Sequence, residues 1–144
     1  MSVYTDGSCL GNPGKGGFGA IGIISQDSKP LFKISGGETF TTNNAMELKG
    51  AINGIEKANQ IGWTNFTVYT DSKYVMQGIT QWIDKWVQNK WKTSTGTNVK
   101  NRYLWEKLYK LKTPTIEFVW VKAHNGNKWN EEVDKLAREC AELI

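Results

Sequence analysis

Four acidic residues adjoin apolar runs that must pack inward: Asp6 in VYTDGS, Glu47 in NNAMELKGA, Asp71 in VYTDSKY and Asp134 in NEEVDKLA. Carboxylates gathered at the edge of a core repel one another and lose hydration, which a fold tolerates mainly when cations neutralise them. Every ligand on offer is a hard oxygen, and no cysteine or histidine cluster suits zinc, so Mg²⁺ is favoured, with Mn²⁺ as an alternative. Three or four carboxylates exceed what one Mg²⁺ usually takes. A pair of ions bridged by a shared carboxylate and a substrate phosphate suits that number, and the matching chemistry is in-line displacement at phosphorus. His124, the only histidine, stands in an Asn- and Gly-rich stretch just before the segment that carries Asp134. That placement favours a proton carrier or a helper in product release, assisting without being indispensable.

Each of these residues has a plainer role when taken singly. An Asp after a strand is often a turn former or a helix cap. Glu47 could be the far half of a capping box begun by Asn43 or Asn44. Asp134 could be a favourable charge in the first turns of a helix. A solitary histidine is most often a surface residue with no special role. What favours the chemical reading is convergence of four acids on one edge of one sheet.

The elements that must position them follow from pattern. VYTD is a strand ending at Asp6, followed by GSCLGNPGKGG as a glycine-rich turn. Phe18–Ser25 and Leu31–Glu38 are further strands of an antiparallel meander. Leu48, Ala51, Ile52, Ile55 and Ala58 form the stripe of a long helix that stops at Gly62, with Glu47 on its flank. NFTVYTD is a strand ending at Asp71, with a helix starting near Ser72. Strand, helix, strand implies parallel pairing, and binding sites in open α/β sheets gather at the carboxyl ends of strands. Asp6 and Asp71 follow the same local text, VYTD, so parallel neighbouring strands would set the two carboxylates side by side. Gln81–Lys90 and Arg102–Leu111 have helical spacing around a KTSTGTN loop, Thr115–Val121 is the last strand, and Glu131–Leu143 is the final helix. The fold class is α/β in three layers.

Length and charge set the frame. The chain has 144 residues, the size of one domain able to bury a core, and no linker divides it. Its net charge of +4 is unevenly spread: residues 82–112 carry eight basic and two acidic side chains, while residues 113–144 carry four basic and six acidic. One surface for a polyanion and another for cations is the implication. Trp82, Trp86, Trp91 and Trp105 all fall in the basic stretch. Cys9 and Cys140 form no metal motif or disulfide framework, no run approaches a membrane span, and the N-terminus lacks a signal-peptide layout. An intracellular, cytoplasmic protein with no membrane association is expected.

Five ordered segments, YTDGSCLGNPGKGGFG, TTNNAMEL, VYTDSKYV, GITQWIDKWVQNKWKT and VKAHNGNKWNEEVDKLA, together resemble bacterial ribonuclease H of type 1 over essentially the whole length. The resemblance implies a ribonuclease H-like, five-stranded mixed sheet flanked by helices. It implies hydrolysis of the RNA strand of RNA–DNA hybrids, leaving 5′-phosphate and 3′-hydroxyl ends, by a free-standing monomer with no obligate protein partner. The family's metal-binding acids fall on Asp6, Glu47, Asp71 and Asp134, and its loop histidine on His124. Its minor-groove asparagines fall on Asn12, Asn43 and Asn44. Thr42 and Asn101 fall where relatives grip a phosphate of the DNA strand. The basic protrusion corresponds to about residues 82–101, with Trp82, Lys85, Lys90, Lys92 and Lys100 as contacts and Trp86 and Trp91 mainly structural.

The departures are small. Only five residues precede Asp6, which points to a short first strand. Ala45 stands where relatives often have Arg, and Ala123 replaces a glycine, which would matter if that position needed a positive φ. The protrusion has fewer consecutive charges than many relatives, so hybrid binding should be weaker or more salt-sensitive. Against these readings stand a DNA-cutting resolvase or integrase core, a silent hybrid-binding protein, and a non-enzymatic domain whose acids are only caps.

Overall fold

A computed structural model describes all residues, 1–144. Strands β1 (Ser2–Leu10), β2 (Gly14–Ile23) and β3 (Phe32–Thr41) form the antiparallel meander. Helix α1 (Asn43–Gln60), strand β4 (Phe66–Thr70), helix α2 (Lys73–Gln77), a π-helical turn (Gly78–Trp82) and helix α3 (Ile83–Gln88) follow. Helix α4 (Arg102–Leu111), strand β5 (Ile116–Trp120) and helix α5 (Lys128–Leu143) complete the chain. The five-stranded sheet has the order β3-β2-β1-β4-β5, with β1–β4 and β4–β5 parallel. It is the mixed sheet flanked by helices that the sequence implies.

Two layers of apolar contact hold the sheet. On one face Val3, Val68 and Phe66 pack with Leu48, Ile52 and Ile55 of α1 and Leu104, Trp105 and Leu108 of α4. On the other, Tyr4, Ile21 and Ile23 pack with Trp129 and Val133 of α5. Alternation along each strand makes this division, since successive side chains point to opposite faces.

Several local expectations need correction. The first strand is not short: β1 spans nine residues. Nor does it end at Asp6, because after Thr5↔Thr70 it leaves β4 but stays paired with β2 as far as Leu10↔Lys15. Asp6 therefore ends the parallel ladder and not the strand. Most of the glycine-rich turn is strand as well. Gly17 is there for close packing, since a Cβ on it would meet the Ala137 carbonyl and the Ala141 amide of α5. The cap of α1 is Thr42, whose hydroxyl accepts from Ala45 N at 3.2 Å. Asn43 and Asn44 are its first two exposed residues, and Glu47 lies too far along to complete a capping box. Helix α5 begins at Lys128, capped by Asn127, so Asp134 sits in its second turn, beyond the first-turn placement that helix-end stabilisation favours. The left-handed residue of the histidine loop is His124 itself (φ 55°), followed by Gly126, so Ala123 needs no positive φ. The helix expected over 81–90 starts earlier, as α2, the π turn and α3 run on from Lys73 to Gln88.

Candidate active site

The repeated text VYTD becomes geometry through register. Val3, Tyr4 and Thr5 pair with Val68, Tyr69 and Thr70, and the Tyr4 and Tyr69 rings stack at 4.6 Å between centroids. One step beyond the ladder, Asp6 and Asp71 lie on the face those tyrosines occupy. Glu47 arrives from α1 because nothing projects from Gly7: a Cβ there would collide with the backbone of Met46 and Glu47. Carboxylate oxygens of Asp6, Glu47 and Asp71 all lie within 4.8 Å of one another.

Asp134 approaches from α5. It lies close enough to Asp6 to help raise that carboxyl, while its Oδ2 accepts from Arg138 Nε at 3.1 Å. It stands outside the tight group of three. His124 is exposed at the rim, sharing an open cleft with Glu131, Asp134 and Arg138.

Electrostatics mark the group as incomplete. Burial, then the charges of Glu47 and Asp71, pushes the Asp6 carboxyl up to about 11. Burial, then Asp71, pushes Glu47 up to about 8, against the pull of Asp6 and the Gly7 amide. Asp71 is also raised, by burial first, although Asp6, Asn130 and His124 pull it down. Glu47 Oε1 is buried with no hydrogen-bond partner. A buried carboxylate oxygen without a donor is costly unless something electropositive meets it. The donor set is all oxygen, and a hard divalent cation fits it.

The RNase H family model matches residues 1–142. The chain belongs to the ribonuclease H family. It is accordingly an enzyme, a ribonuclease. A Ribonuclease H of Neorickettsia sennetsu is 49% identical over 140 residues, covering 96% of this chain and 91% of that protein. A Ribonuclease HI of Xylella fastidiosa (strain Temecula1) is 49% identical over 139 residues, covering 96% and 89%. Among solved structures, LC11-RNase H1 in complex with an RNA/DNA hybrid aligns with a TM-score of 0.74 at 22% identity, over 99% of this chain and 96% of that one. At that identity the likeness is one of fold.

Within this ribonuclease H fold the remaining expected residues lie in several separate places. Asn12 and the start of α1 are joined, since Asn12 Oδ1 accepts from Asn43 N at 3.2 Å. Thr42, Asn43 and Asn44 thus stand beside the tip of the β1–β2 hairpin. Asn101 sits apart, at the N-terminus of α4 with φ 60°, and its Nδ2 donates to Tyr74 Oη at 3.2 Å. In the protrusion, Trp82, Lys85, Trp86, Asn89, Lys92 and Thr93 line most of an open groove of about 450 Å³. Lys92 Nζ is also tied to Asn98 Oδ1 at 2.9 Å. Lys90 and Lys100 are exposed outside the groove lining. Trp86 packs against Trp82, Trp91 and the fully buried Trp105.

Sequence reasoning overlooked two neighbours of Asp71. Asn130 is 2% exposed on α5, and its side chain faces the Asp71 carboxyl closely enough to pull it down. Trp120 donates its indole N–H to the Asp71 carbonyl at 3.0 Å. A polar residue one helical turn before Asp134 was the available signal for Asn130. Nothing in the pattern of β5 distinguished Trp120.

Proposed function

We propose that this ribonuclease H cuts the RNA strand of RNA–DNA hybrids endonucleolytically, with Asp6, Glu47, Asp71 and Asp134 holding two Mg²⁺ ions, or Mn²⁺ in their place. The observation that carries the reading is the trio of carboxylates within 4.8 Å, one of whose buried oxygens has no partner. The bound ions supply Lewis acidity for displacement at phosphorus, giving 5′-phosphate and 3′-hydroxyl ends. Asn130 orients the Asp71 carboxylate. His124, exposed at the rim, carries a proton away from the site. Asn12, Asn43 and Asn44 meet the minor groove and recognise 2′-hydroxyls, which only the RNA strand offers. Thr42 and Asn101 hold a phosphate of the DNA strand, while Trp82, Lys85, Lys90, Lys92 and Lys100 form its channel. No base-reading element is needed, so sequence preference is low. Residues 1–144 act as one catalytic domain, monomeric and without an obligate partner protein, in the cytoplasm.

The test is incubation with labelled RNA–DNA hybrid, duplex DNA and duplex RNA, with Mg²⁺ and with chelator. Cleavage of the hybrid's RNA alone, abolished by chelator, is expected. Asp71→Asn should lose turnover and keep hybrid binding, and His124→Ala should keep measurable activity. Cutting of duplex DNA, or full activity in Asp71→Asn, overturns the reading.

A further inference from the structure

Asp71 is the acid with the least secondary structure behind it. The β4–β5 ladder ends at Thr70↔Trp120, and its final backbone bond runs from Val121 N to Thr70 O at 2.9 Å. Asp71 and Ser72 then form a two-residue link before α2. On the carboxylate side, Asn130 reaches in from α5. On the carbonyl side, the Trp120 indole makes the next rung of the ladder with a side chain, donating to Asp71 O at 3.0 Å. Trp120 is 41% exposed, so burial explains only part of its presence. Its face is covered by Lys73, whose Nζ lies 5.5 Å from the ring centroid. Lys73 begins the helix that follows Asp71, so one tryptophan engages the link just before and just after Ser72.

We infer that Trp120 is a positioning residue for the metal site: its indole N–H fixes the Asp71 peptide, and thereby the direction of the Asp71 carboxylate toward Asp6 and Glu47. The inference rests on the reading of Asp71 as a metal ligand. Groups that orient metal ligands tune affinity without touching the ion. The Lys73 ammonium over the ring keeps the indole from swinging outward, a contact that an aromatic face supports and an aliphatic side chain does not.

Trp120→Phe keeps a ring for Lys73 and removes the donor. Calorimetric titration of the protein with Mg²⁺ and Mn²⁺, without nucleic acid, should show affinity weakened by about five- to tenfold, the scale of removing one orienting hydrogen bond. With hybrid, KM should be unchanged, kcat should fall at limiting Mg²⁺, and excess Mg²⁺ should restore it. A purely structural role would lower the unfolding midpoint without moving the metal titration. The wild-type protein gives a second measurement. The indole N–H resonance of Trp120, followed by NMR, should be protected from exchange and should shift on adding Mg²⁺. Wild-type metal affinity in Trp120→Phe, a loss that excess metal fails to restore, or an indole signal blind to Mg²⁺ overturns the inference. Asp71→Asn run in parallel separates the two claims. If Asp71→Asn binds metal normally, the site reading itself fails; if only Trp120→Phe is silent, the positioning role alone fails.

Discussion

The three central carboxylates lie so close together that their charge state depends on what meets them. With no cation bound, burial and mutual repulsion hold Asp6 and Glu47 protonated well above the range of free acids, to about 11 and about 8. The folded chain then retains protons that the unfolded chain releases above the ordinary carboxylate values. Stability contributed by these groups is complete below those values and is lost as pH rises toward the folded ones. In chelator, the unfolding midpoint should therefore fall between about pH 5 and pH 8, and Asp6→Asn should flatten that fall. Added Mg²⁺ should reverse the trend, because the ion selects the ionised carboxylates and its stabilisation grows with pH. Thermal melts across pH, with and without Mg²⁺, check all of this. A wild-type slope that survives in Asp6→Asn would remove Asp6 as its source.

Two elements meet here at unusually short range. Helix α1 rests on β1 with no side chain between Gly7 and the Met46–Glu47 peptide. Gly7→Ala should push α1 outward, costing about 1–3 kcal/mol of stability and withdrawing Glu47 from Asp6. Denaturant melts and metal titration report the two effects separately. The protrusion stores strain of another kind, since Lys90 and Trp91 both have left-handed backbone, at φ 54° and 62°. Lys90→Gly should stabilise the protein by about 0.5–1 kcal/mol, as the left-handed cost outweighs the added freedom of the unfolded chain. Equilibrium denaturation checks the sign.

Much of this was legible in the sequence because it is periodic or repeated. Strand alternation, the α1 stripe and the twin VYTD segments led to the parallel pairing that brings Asp6 beside Asp71. What escaped was set by contacts across the chain. The true extent of β1 depends on β2, the role of Gly17 depends on α5, and the two partners of Asp71 come from β5 and α5. Residues 43 and 44 looked like caps because Asn caps helices, but Thr42 already fills that place.

At the scale of the whole molecule, acidic and basic regions are separate: the carboxylates lie where β1, α1, β4 and α5 meet, and the lysines gather on the protrusion. Hybrid affinity should accordingly fall steeply with salt. Removing Lys85 and Lys92 together should lessen the slope of log affinity against log salt by about 0.9 for each phosphate they neutralise. An unchanged slope would take those lysines out of the interface. The meeting of four elements has a temporal side as well. Helix α5 carries Asn130 and Asp134 and is synthesised after every strand of the sheet. A chain that has assembled its meander and docked α1 but not α5 lacks those two side chains, so under the proposed assignment of the site cleavage competence arises only in the step that docks α5.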